Sequence, residues 1–189
     1  MLVMSTLRPR PAAGDSAARA MRGFTLIELV FTITLVAILA ALAAPSFRQF
    51  ILSQRVKNAS FDLVAALTLA RSEAISRNTS VDVAKSGSGW SSGWTVSTVV
   101  AGTPTTLLAQ NSFAGVAITD SASLGTLTYG KDGRTTTAGT KFAICPPAPV
   151  IAGVAMRCVS VGLSGVPSST PLNNPTPTLT TAGSCLPCS

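Results

Sequence analysis

The stretch FTLIELVFTITLVAILAALAA, residues 24–44, decides how the rest of the chain is interpreted. As a helix it would be about 32 Å long, which matches a bilayer hydrocarbon core of about 30 Å. The apolar core of a secretory signal peptide is shorter, about 7–15 residues. The stretch therefore predicts a transmembrane helix, although Ala40–Ala44 superficially resembles a signal-peptide cleavage region.

Glu28 is the one charged residue in this stretch. A carboxylate within an apolar span costs about 2.5–3.5 kcal/mol on insertion scales, so a compensating partner is expected. A position near the membrane surface, where the cost is smaller, is the alternative explanation.

The residues around this carboxylate, Gly23-Phe24-Thr25-Leu26-Ile27-Glu28 and the apolar run, resemble the type III signal of type IV prepilins and pseudopilins. The resemblance implies that a prepilin peptidase cleaves after Gly23 and methylates the new amino group of Phe24. It also implies that Glu28 pairs with the N-terminal ammonium of a neighbouring subunit during assembly. Opposite charges attract strongly at low dielectric, where either charge alone is costly.

The resemblance therefore implies that residues 1–23 are a leader that is cleaved off. Charge flanking the span does not fix its orientation, because four arginines precede it and Arg48, Arg55 and Lys57 follow it. The resemblance and the distal cysteines instead predict a single-pass protein of the bacterial inner membrane. Its C-terminal part would be periplasmic, and it would later join a pilus or pseudopilus with other pilins.

A helical pattern continues beyond Pro45 to about Arg77. We expect Pro45 to kink this helix at the membrane exit, because proline removes one backbone hydrogen bond. The pattern predicts a transmembrane helix over residues 24–46 and an amphipathic continuation over 47–79. Side chains at spacings of three or four form its core-facing stripe, namely Val56, Ser60, Leu63, Leu67, Ala70 and Ala74.

Residues 80–165 contain β-branched runs separated by Gly, Ser, Thr and Pro. The runs are SVDVAK, GWTVSTVV, TTLLAQ, GVAIT, GTLTYG, KFAIC and RCVSVG. They predict about seven short strands in a mainly antiparallel region, and one long helix packed on such a region is an α+β fold. Residues 166–189 are rich in Pro and Thr and predict an extended C-terminal tail that carries a CxxC motif.

The wider sequence resembles the GspH/FimT family of minor pseudopilins over residues 22–165. The matching segments are Leu67–Ile75, Arg77-Asn78, Trp90 with Gly93-Trp94, Tyr129–Arg134 and Phe142–Cys145. This resemblance implies a pilin-like fold and a structural subunit that initiates or caps a type IV pilus or a type II secretion pseudopilus.

Four cysteines, Cys145, Cys158, Cys185 and Cys188, follow the predicted span, and an even number suits two disulfides in an oxidising compartment. Sequence alone allows three pairings; a Cys145–Cys158 bond would close a short loop. A four-cysteine zinc site or a redox CxxC are the alternatives, and zinc would require all four thiols to converge. We interpret the cysteines as structural and predict neither a metal nor a cofactor.

Two further groups of side chains have structural interpretations. Trp90 and Trp94 are expected to cap one edge of the core rather than to stack on a ligand. Arg71 and Glu73 are expected to pair locally or to stay solvated.

A minor pilin that binds DNA during natural transformation is the alternative to a purely structural role. Removing residues 1–23 takes away four of fourteen basic and one of seven acidic residues, which leaves a net charge of +4. Some FimT-like relatives hold phosphates with a Gly-Arg-x-Arg turn, but here residues 161–167 read VGLSGVP without arginine. The remaining candidates for a weak DNA patch are Lys131, Arg134, Lys141 and Arg157.

An enzyme is not expected. The sequence has no histidine, which removes the commonest general base and metal ligand at neutral pH. We find no nucleophile elbow, phosphate-binding loop or paired carboxylates in the chain, so no residue is assigned a catalytic role.

Overall fold

A computed structural model describes residues 24–137, 139–147, 153–172 and Cys185. In these residues one long helix precedes a short 3-10 helix, Trp90–Ser92, and eight strands. The elements are α1 Leu26–Arg77, β1 Val81–Lys85, β2 Trp94–Val100, β3 Thr103–Gln110, β4 Ala117–Asp120, β5 Thr126–Tyr129, β6 Thr140–Cys145, β7 Met156–Val161 and β8 Pro167–Leu172. The seven predicted runs correspond to β1–β7, and the predicted α+β fold is confirmed.

The first part of α1 has the composition of a membrane span. Residues 24–48 are exposed, and by length and composition α1 could cross a membrane. The helix continues without a break through Pro45.

The second part of α1 buries one face, as its spacing predicted. The buried residues are Val56, Ala59, Ser60, Leu63, Ala66, Leu67, Ala70 and Ala74. The apolar ones form a single cluster with side chains from both sheets, including Val83 and Leu127 of the first and Phe142 and Val159 of the second. Both sheets therefore pack against the same face of α1.

The strands form two antiparallel sheets, ordered β3-β2-β1-β5 and β4-β6-β7-β8. The sheets interleave along the chain, because β4 belongs to the second sheet and the following β5 to the first. Neither sheet can therefore complete its pairing before the chain has entered the other.

Strand β8 corrects one prediction. It lies in the segment expected to be an extended tail, so that expectation is wrong for Pro167–Leu172. Among the described strands, β8 pairs with β7 alone and lies at the edge of the sheet, where prolines are tolerated. The Ser169 hydroxyl lies 2.7 Å from that of Ser60 on α1, and those of Ser160 and Ser168 lie 2.8 Å apart. Backbone pairing and hydroxyl contacts thus stabilise a strand whose sequence, PSSTPL, has low β-propensity.

The disulfides correct a second expectation. Cys158 is bonded to Cys185, with Cα atoms 5.8 Å apart, so the Cys145–Cys158 pairing considered above is wrong. The register explains this, because Ala143 and not Cys145 lies opposite Cys158. Cys145 is also disulfide-bonded, and Cys188 lies outside the described residues. The Cys158–Cys185 link, with a sequence separation of 27, stabilises the fold by about 3.5 kcal/mol in the loop-entropy model.

The turn after β5 joins α1 to both sheets. Arg71 Nε donates to the Gly133 carbonyl at 3.1 Å, and Thr135 Oγ1 donates to the Gly162 carbonyl at 3.0 Å. We had expected Arg71 to pair locally with Glu73 or to stay solvated, but it bonds to the turn after β5. Glu73 pairs with Arg77 instead.

Gly165 is where the β7–β8 turn meets this turn. Its φ is +73°, and a Cβ here would collide with the Gly133 carbonyl oxygen and lie 3.0 Å from Tyr129 Cε1. A side chain is thus disfavoured both by backbone conformation and by a lack of space.

We expect Gly165→Ala to lower the free energy of unfolding by more than about 2 kcal/mol, since it adds a backbone collision to left-handed strain. Gly102→Ala is the matched control, because Gly102 has a φ of +81° but no atom within 4 Å of its Cβ position. It should lose only the conformational part, about 1 kcal/mol. Denaturant unfolding of the full chain in detergent measures both, and equal losses would contradict the collision.

Tyr129 ends β5 in the core with none of its surface exposed. Burial raises the pKa of its phenol to about 12, although the positive charge of Arg71 acts in the opposite direction. The folded state therefore holds the phenolic proton more tightly than the unfolded chain, whose reference pKa is 10.0.

This shift predicts an alkaline loss of stability. Below pH 10.0 the phenol is protonated in both states, so its ionisation does not change the free energy of unfolding. Between pH 10.0 and about 12 only the unfolded chain loses the proton. The free energy of unfolding should therefore fall there by about 1.4 kcal/mol per pH unit. Tyr129→Phe should remove this part of the slope. Tyr129 is the chain's one tyrosine, so ultraviolet titration reports it alone, and a folded-state pKa near 10 would contradict the burial effect.

Candidate functional site

The N-terminal end of α1 contains the motif that the sequence singled out. The Glu28 N–H donates to Thr25 Oγ1 at 3.2 Å, and the Leu29 N–H donates to the Thr25 carbonyl at 3.1 Å. Thr25 is thus the N-cap of α1 and satisfies a backbone donor that has no partner within the helix. We did not predict this role, although the Thr-x-x-Glu spacing of a capping box could have revealed it.

Glu28 lies in the first turn of α1, where the positive end of the helix dipole favours a carboxylate. Its side chain is exposed. Across the described ranges, the one ion pair is that between Arg77 and Glu73, so Glu28 has no cationic partner there. The geometry leaves this carboxylate able to accept a cation from another molecule.

Phe24 immediately precedes the helix and its N-cap. Its side chain is 77% exposed, and the predicted scissile residue Gly23 lies outside the described residues. The described part of the site is therefore an exposed aromatic residue, a capping threonine and an exposed carboxylate within five consecutive residues, Phe24–Glu28.

The structure does not gather the predicted DNA-patch residues on one face. Lys131 and Arg134 are exposed in the turn after β5. Arg157 pairs with Ile144 across β6 and β7, so these two side chains lie on the same face of the second sheet. Lys141 is three residues before Ile144 on β6, and side chains alternate along a strand. The Lys141 side chain therefore lies on the other face of the sheet from Arg157. The Arg157 guanidinium instead lies 5.6 Å from the centre of the Phe61 ring.

Trp90 and Trp94 are both buried, as predicted. Trp90 packs edge-on against Phe142 with ring centroids 4.8 Å apart, and its Nε1 donates to the Leu124 carbonyl at 3.3 Å. Trp94 stacks on Phe113 at 5.2 Å. These rings belong to the core and present no face to a ligand.

The cysteines are structural where the structure describes them. Cys145, Cys158 and Cys185 are all in disulfides, and a disulfide sulfur is not the thiolate that zinc requires. Across the described ranges, no three His, Cys, Asp or Glu side chains are grouped to hold a metal.

Comparison with known proteins places both parts of the chain. The family model described as type II transport protein GspH matches residues 59–165, and that of the prokaryotic N-terminal methylation motif matches residues 18–44. The first match covers more than half of the chain and includes strands β1–β7 and the buried face of α1 from Ala59 onward. Among curated proteins, no sequence matches the chain significantly.

Two crystal structures of one minor pilin share the fold. The type IV minor pilin FimU of Pseudomonas aeruginosa matches with a TM-score of 0.55 and 22% identity, over 62% of this chain and 90% of FimU. A second FimU crystal form matches with a TM-score of 0.52 and 21% identity, over 61% and 92% of the two chains. The minor pseudopilin EpsH of the Vibrio cholerae type 2 secretion system has a TM-score of 0.49 and 15% identity, over 62% and 96%.

The methylation motif lies at the start of α1, and the GspH family match covers most of the domain that packs on the second half of this helix, up to the turn before β8. The chain therefore belongs to the GspH/FimT family of type IV pilin-like minor pseudopilins.

Proposed function

We propose that this protein is a structural subunit that initiates or caps a type IV pilus or a type II secretion pseudopilus. The observation that carries the proposal is the exposed carboxylate of Glu28, in a methylation motif at the start of a helix whose other half carries a pilin-like domain. The carboxylate at this apolar helix end has no cationic partner among the described residues, which suits a subunit whose neighbours supply one.

Processing is the first step of the proposed function. A prepilin peptidase would cleave the bond between Gly23 and Phe24 and methylate the new amino group. Cleavage would create a positive charge one residue before the Thr25 N-cap, at the positive end of the helix dipole. That position is unfavourable for an ammonium, so a carboxylate from elsewhere would stabilise it.

Assembly is the second step. The N-terminal ammonium of one subunit would pair with Glu28 of the next, and each charge would offset the desolvation cost of the other. Since such a pair requires one axial offset between helices, Glu28 would also set the register of the filament.

Residues 24–44 would hold the subunit in the bacterial inner membrane before assembly, with the disulfide-bonded domain in the periplasm. The Cys158–Cys185 bond supports this placement, because disulfides persist in oxidising compartments. The partners would be other major and minor pilins or pseudopilins.

Glu28→Ala is expected to leave cleavage intact and to abolish incorporation into filaments, since it removes the carboxylate that pairs with the neighbouring ammonium. Glu28→Gln should fail similarly, because it keeps the size but loses the charge. Asp62→Ala is the matched control, as Asp62 is an exposed carboxylate farther along the same helix.

The measurement is the amount of each variant in sheared and pelleted filaments, relative to its amount in the membrane. Normal incorporation of both Glu28 variants would overturn the proposed pairing. An equal defect in Asp62→Ala would show that the effect is not specific to Glu28.

A further inference from the structure

Three phenylalanines lie exposed on one side of α1. Phe47 is 63% exposed, Phe50 56% and Phe61 60%. At about 100° per residue they fall on one face of the helix, roughly opposite the buried face. Exposed apolar groups gathered in this way mark a surface that contacts a partner or a membrane.

Phe61 differs from the other two in its contacts. The Arg157 guanidinium lies 5.6 Å from its ring centre, and Arg157 Nε donates to Ser169 Oγ at 3.2 Å. Phe61 is therefore part of the folded domain. Phe47 and Phe50 have no ring or cation contact within the part of the chain that the structure describes.

The positions of these rings relative to the end of the apolar run separate them further. With a rise of about 1.5 Å per residue, Phe47 and Phe50 lie about 4 to 9 Å beyond Ala44 along the helix, whereas Phe61 lies about 25 Å beyond it. The head-group region adds about 5 to 8 Å to each side of the hydrocarbon core. With residues 24–44 spanning the bilayer, Phe47 and Phe50 would lie at this depth and Phe61 would lie in water.

The charges of the same segment are complementary to phospholipid phosphates. Between Glu28 and Asp62 the sequence contains no acidic residue, and its basic residues are Arg48, Arg55 and Lys57. Arg48 and Lys57 are exposed, while Arg55 Nη1 donates to the Ala114 carbonyl at 3.2 Å. Arg48 lies between the two rings in sequence and is the cation best placed at the membrane surface.

We propose that Phe47, Arg48 and Phe50 form an interfacial anchor. The two rings insert among the lipid head groups where α1 leaves the membrane, and Arg48 pairs with a phosphate of an anionic phospholipid. The inference rests on the proposed function, because it requires residues 24–44 to span the bilayer. It adds that membrane contact continues for about two helical turns beyond the span and fixes the depth of the waiting subunit.

Depth-dependent fluorescence quenching tests this anchor. The full chain is reconstituted in vesicles of phosphatidylethanolamine and phosphatidylglycerol containing lipids brominated just below the head group. Phe47→Trp and Phe50→Trp are expected to lose most of their added fluorescence. Phe61→Trp, the matched control on the same helix face, should keep it. The unsubstituted protein gives the background of the buried Trp90 and Trp94.

Leu35→Trp, near the middle of the apolar run, separates the two hypotheses when it is measured in vesicles whose lipids are brominated deep in the acyl chains, because bromine quenches only a ring at its own depth. If it is quenched while Phe47→Trp and Phe50→Trp emit like Phe61→Trp, the anchor is wrong and the span stands. If it is not quenched, the span fails and the anchor fails with it. Equal quenching at all three phenylalanine positions would also overturn the anchor, because contact would then not end at the head groups.

Discussion

The rest of the structure depends on α1, whose two parts suit different surroundings, lipid for the first and the core of the domain for the second. Apart from Glu28, its first part carries no charge up to Ala44, which suits lipid, while the buried apolar face of its second part begins at Val56. Alanine occupies four of the eight buried positions on that face, so strands can approach closely. Burial of this single face holds together two sheets that share no strand.

Contacts outside the core hold the turns and the second sheet in place. The bond from Arg71 to the Gly133 carbonyl holds the turn after β5 on the helix, and Gly165 lets the β7–β8 turn close against it. On the far face of the second sheet, Cys185 joins a small cluster with Ala143 and Met156 and ties the C-terminal region to β7. The domain is thus secured at both the helix side and the outer side of this sheet.

The sequence predicted the features that follow from periodicity. The stripe from Val56 to Ala74 and the runs of β1–β7 depend on local spacing and composition, and both were found. β8 was missed because Pro167 and Pro171 weaken a strand pattern, and its pairing with β7 is a tertiary effect. The cysteine pairing could not be predicted from the sequence because it depends on the register of β6 and β7. The bond from Arg71 to Gly133 could not be predicted either, because it forms only when the turn after β5 packs on the helix.

We propose above that the mature chain begins at a processed and methylated Phe24, just before the apolar helix. The intact mass of the protein extracted from membranes, with and without reduction, tests it most directly. The expected mass is that of residues 24–189 plus one methyl group, with four hydrogens fewer before reduction because of two disulfides. An uncut chain, or one cleaved near Ala44, would contradict it.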